Sequence, residues 1–126
     1  MANLLIMVES RKFILICQDL DMELKLDTEK FDEYQKLFIA EITKTVMVKL
    51  VEAGLKGPAL EDATASIVFN IASIIDDTTG IESDDLEVRP YLTFRQNDNE
   101  LVHCGENSYT YDRMMPVMKK LFHPET

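Results

Sequence analysis

An α+β domain is what this sequence predicts, and three observations carry that expectation. Two consecutive segments, 28–53 and 58–75, repeat apolar residues at helical spacing, and only Gly54-Leu55-Lys56-Gly57 separates them. Runs with a period of two lie on either side of this pair, at 19–27 and from 86 to about 95. The chain has 126 residues, 46% hydrophobic and 29% charged, enough for one core without disulfides or metal. A single domain is therefore expected over 1–126. It would hold an αα-hairpin packed on a small antiparallel or mixed sheet, closed by a short C-terminal helix.

The N-terminus offers no glycine or proline before Gly54. Apolar runs at 4–8 and 13–17 flank Glu9-Ser10-Arg11-Lys12. Two short strands with the polar residues at the turn are favoured over one helix, which would set Arg11 and Lys12 among apolar positions. The helix stays open as an alternative, because no Asn-Gly or Asp-Gly turn is present. Residues 19–27 alternate strictly and predict a half-buried strand with Leu20, Met22, Leu24 and Leu26 inward.

Asp27 or Thr28 is the expected N-cap of the first helix, with Glu29, Asp32 and Glu33 where the helix dipole favours negative charge. Its inward face is expected to hold Phe31, Phe38, Ile42 and Val46. Gly54 followed by Leu55 suits a Schellman ending, and Pro58 suits the first turn of the second helix. That second helix contains the uncharged stretch 63–75. Leu60, Ile67, Ile71, Ile74 and Ile75 share one face and are expected inward, while Ser66, Asn70 and Ser73 form a narrow polar strip suited to close packing.

The connection 76–87 carries Asp76, Asp77, Glu82, Asp84, Asp85 and Glu87 with no lysine or arginine. A strand is expected from 86 to about 95, with Pro90 marking an edge or a bulge. Asn97-Asp98-Asn99-Glu100 makes the turn to a return strand at 101–104. The last helix is expected over 112–122 with Asp112 as N-cap and Met114, Val117, Met118, Leu121 and Phe122 inward. Starting close before Pro116 avoids the cost of a mid-helix proline.

Charge bounds the function. Thirteen basic against 23 acidic residues leave −10, and no basic footprint for nucleic acid is present. Binding to an anionic membrane is disfavoured as well. The run 4–8 is too short for a secretory signal, and no apolar run is read as long enough to span a bilayer. Two cysteines far apart, Cys17 and Cys104, favour a reducing, cytoplasmic setting.

Motifs for phosphate, dinucleotide, nucleophilic or zinc chemistry are absent, so no catalytic residue, metal or cofactor is assigned. His103 and Cys104 are neighbours on an expected strand and would point to opposite faces. Asp76 and Glu87 stand at the ends of a calcium-loop spacing, but Gly80 falls at the fifth place instead of the sixth. Two function classes remain. The first is a non-enzymatic protein binding a basic protein surface through Asp76, Asp77, Glu82, Asp84, Asp85 and Glu87, as an inhibitor, chaperone or immunity-type factor does, or else self-associating, as a homodimer for instance. The second is a small-ligand domain or modest enzyme with a pocket near His103, Glu106, Tyr109 and Tyr111.

Overall fold

Strand β1 (Glu23–Leu26) leads into helix α1 (Thr28–Glu52), and a tight turn joins α1 to α2 (Gly57–Ile75). Strands β2 (Ile81–Ser83), β3 (Leu86–Val88), β4 (Phe94–Asn97) and β5 (Glu100–His103) follow, and α3 (Thr110–Phe122) closes the chain. This is the α+β class expected. The coordinates are a computed structural model that describes residues 22–125. The expected strands or helix at 4–17, Leu20 and Cys17 lie outside the described residues. The described residues fall into two compact units: one takes residues 22–25 with Arg95–Val102, the other Leu26–Phe94 with residues 103–125.

Local chemistry sets the helix ends. The Asp27 carboxylate accepts from Lys30 N at 3.0 Å, the N-cap bond expected. At the other end of α1, Gly54 N donates to Val51 O and Leu55 N to Leu50 O, the two bonds of a Schellman motif. Gly54 takes a φ of 100°, which a side chain would strain. Helix α2 ends the same way, with Asp77 N donating to Ile74 O and Thr78 N to Ser73 O. Here Asp77 holds the left-handed position, at φ 62°.

The core of the larger unit is formed by Ile39, Val68, Ala72, Met114 and Met118, so all three helices contribute. Met114 and Met118 were expected inward and are. The buried faces of α1 and α2 differ in part from expectation: Phe31 is buried as expected, and Ile42 and Val46 are partly buried against the core. On α1 the buried row is Phe31, Gln35, Ile39 and Thr43. On α2 it is Thr64, Val68, Ala72 and Ser73, while Ile67 and Ile74 are exposed and Leu60, Ile71 and Ile75 only half-buried. Close approach between helices selects small side chains, and the buried hydroxyls are satisfied at home: Thr43 donates to Ile39 O and Thr64 to Leu60 O, both at 2.7 Å. Ser66 and Asn70 are exposed, so of the expected polar strip only Ser73 is buried, beside Thr64, Val68 and Ala72. Helix α2 is also long and apolar enough, by length and composition alone, to cross a membrane, which corrects the reading that no run reaches that length.

Strands β1, β5 and β4 form one sheet in that order. Glu23 N bonds Asn99 O and Asp27 N bonds His103 O, so β1 and β5 run parallel, and the sheet is mixed. Leu24 and Leu26 are exposed on β1, contrary to the inward placement expected. The expected strand from 86 to about 95 is two strands in two sheets, split around Pro90, which cannot donate to a ladder. Phe94 at the head of β4 packs against Phe31, Tyr34 and Phe38 of α1, with ring centroids 5.2, 5.8 and 5.5 Å away.

Arg113 ties α3 to α1 through Asp32 at 2.8 Å, and Lys36 meets the same carboxylate at 3.1 Å. Desolvation of Asp32 raises its pKa, but the hydrogen bonds from Lys36 and Arg113 outweigh it and hold the carboxyl below its ordinary range. A carboxyl depressed in the folded state stabilises above its unfolded pKa, and that contribution is lost as pH falls through the folded value. Asp32→Asn is therefore expected to cost roughly 0.5 kcal/mol at neutral pH, a small value because solvent screens the pair. In urea melts the difference from the parent should shrink as pH falls below the ordinary carboxylate range.

Candidate interaction site

The acidic connection is not one loop. Its first two carboxylates belong to the fold. Asp76 is 1% exposed. It accepts from the Ser108 hydroxyl and, at 3.0 Å, from Tyr111 N. Tyr111 lies in the first turn of α3, whose own N-cap position, Tyr109, makes no side-chain capping bond. Asp76 thus supplies from α2 the negative charge and the acceptor that the start of α3 lacks. Helix α3 consequently begins at Thr110, two residues before the expected Asp112 cap, and carries Pro116 inside it. Gln35 Nε2 donates to Thr110 Oγ1 at 3.0 Å, a second tie to the same helix start. Asp77 pairs with Arg89 at 2.9 Å.

The other four carboxylates stand on a β-hairpin that the sequence did not reveal. Strands β2 and β3 pair antiparallel, Ile81 with Val88, Glu82 with Glu87 and Ser83 with Leu86, and Asp84-Asp85 turns between them. Asp84 takes φ 55°, a conformation that Asp tolerates better than most residues. Glu82, Asp84, Asp85 and Glu87 are exposed, and none pairs with a cation among the described residues. With Leu86 they line a shallow hollow of about 230 Å³. Glu82 and Glu87 are directly opposed, an arrangement that costs stability and concentrates negative potential at one spot. Leu86, 68% exposed, sits amid this charge. Among the described residues no group of three or more His, Cys, Asp or Glu is placed to hold a metal ion, so the calcium spacing does not close into a site.

The residues expected around a pocket part company. His103 Nδ1 lies 2.6 Å from the Tyr91 hydroxyl and does not meet Glu106. Tyr109 and Tyr111 meet edge to face, and Tyr111 also packs on Phe69 at 5.9 Å. Glu106 is exposed, and its backbone carbonyl accepts from the Cys104 thiol. Tyr91, which meets His103, and Arg89, which pairs with Asp77, were missed because both sit in the stretch read as one strand.

Comparison with protein-family models, with curated proteins and with solved structures finds no match to the chain.

Proposed function

We propose that this chain is a non-enzymatic interaction protein that binds a basic protein surface through the β2–β3 hairpin. The observation that supports the reading is a set of four exposed carboxylates, Glu82, Asp84, Asp85 and Glu87, held on a hairpin and paired with no cation among the described residues. Opposed glutamates lower stability, and an arginine- or lysine-rich partner would relieve that repulsion on binding. Exposed Leu86 adds an apolar contact at the centre of the charged patch. A reducing cytoplasmic setting goes with this reading.

Fluorescence anisotropy with a labelled oligolysine peptide tests it. A variant carrying E82Q, D84N, D85N and E87Q is compared with one of equal net charge carrying E29Q, E41Q, D98N and E106Q. At about 20 mM salt, where screening is least, the hairpin variant should weaken binding at least about tenfold and the matched variant by about twofold. Equal losses would show that overall charge, and not the hairpin, attracts the peptide.

A second reading, self-association, is supported by the outward apolar residues Ile67, Phe69 and Ile74 of α2. Sedimentation of the parent should then depend on concentration, and I67D with I74D should give a monomer. A parent that sediments as a monomer at every concentration removes this reading.

A further inference from the structure

We propose that the groove between α1 and α3 binds a single-chain fatty carboxylate, a site separate from the acidic hairpin. The groove has a volume of about 410 Å³. Its floor is apolar, formed by Leu37, Ala40, Val117 and Leu121, and its rim carries Lys36, Lys44, Arg113 and Lys120. Leu37 is 71% exposed, so this apolar surface is open.

In a chain of net charge −10, four cations around one apolar groove reverse the local balance. The four are not equivalent. Lys36 and Arg113 share Asp32, and Arg113 also meets Asp112 at 3.4 Å. Lys44 and Lys120 pair with no carboxylate among the described residues.

Helix directions place the two kinds of cation at opposite ends. The short turn makes α1 and α2 antiparallel. Asp76 meets the start of α3 and Glu61 meets His123 just past its end, so α2 and α3 are antiparallel too. Helices α1 and α3 therefore run in the same direction, and Gln35 meets Thr110 near their starts. Lys44 and Lys120 lie nearly equal numbers of residues beyond that contact and reach the same end of the groove. Lys36 and Arg113 lie at the other.

The unpaired end is a carboxylate site, and the apolar floor between is the path of an alkyl chain. From Lys36 to Lys44 the helix rises about 12 Å, which suits a chain of about eight to ten carbons. A carboxylate fits between two lysines as a charge-assisted hydrogen-bond acceptor, and the chain removes apolar surface from water. A cationic head would meet the same lysines as a like charge.

Calorimetric titration of the full chain with decanoate tests the assignment. Decanoate, below its micelle concentration, should bind saturably at one per chain, while acetate and decyltrimethylammonium should not. K44Q with K120Q should weaken decanoate about tenfold, and K36Q should change it less than about twofold. A40F, which fills the floor, should abolish binding while the helical circular dichroism is retained. The proposal is overturned if decanoate does not bind, if the cationic amphiphile binds as tightly, if K44Q with K120Q leaves the affinity unchanged, or if an acidic amphipathic peptide is strongly preferred. None of these outcomes bears on the hairpin, whose residues the variants leave intact.

Discussion

Val68→Asp is expected to remove the cooperative fold, and Ile67→Asp, one residue away on the same helix, to leave it standing. Val68 is fully buried among Ile39, Ala72, Met114 and Met118, whereas Ile67 is 38% exposed. A carboxylate at position 68 would lose the transfer energy of the valine and bring a charge into the core with no cation to meet it. Together these should exceed about 4 kcal/mol, a large part of the stability of an ordinary domain. At position 67 the new carboxylate stays in water, and the change should be within about 1 kcal/mol. Thermal and urea melts followed by helical circular dichroism decide between them. Similar losses at the two positions would mean that the isoleucine stripe, and not the small-residue row, faces the core.

Asp76→Ala is expected to cost about 3 kcal/mol, more than any other carboxylate substitution in the acidic segment. The side chain is buried and accepts from Ser108 and Tyr111 N. Its removal strands both donors in a site closed to water and strips the start of α3 of its cap. In urea this loss should lower the midpoint by roughly 1–3 M, given the usual dependence for a small domain. Asp85→Asn on the hairpin should barely move it, because an exposed, unpaired carboxylate carries little stability. The contrast separates two residues that look alike in the sequence: one carboxylate builds the fold and the other stands in solvent.

What the sequence made legible was what is decided locally. The Asp27 cap, the Gly54 ending, the two-helix hairpin and the Met114–Met118 face each depend on residues within a few positions of one another. Burial on α1 and α2 was less legible because hydropathy ranks Ile67 above Thr64, while helix contact at short range rewards the smaller side chain. Threonine and glutamine went inside where a backbone carbonyl or another hydroxyl lay within reach. The β2–β3 hairpin was hidden by its shortness and by a turn of two aspartates without glycine. The role of Asp76 was hidden because its partners are 32 and 35 residues away. Of the six carboxylates singled out, the exposed four could be told from the structural two only after these long-range bonds were known. The groove rim was hidden for the same reason, since Lys44 and Lys120 are adjacent only once the helix directions are set.

Isotope-labelled protein titrated with an oligolysine peptide, at about 150 mM salt to suppress diffuse attraction, tests the central claim most directly. Amide chemical-shift changes are predicted to concentrate on residues 81–88, with the largest at Glu82, Asp84, Asp85, Leu86 and Glu87, and with Asp76 unaffected. Changes spread evenly over the exposed acidic residues of α1, or a response at the hairpin no larger than at Asp98 and Glu106, would contradict it.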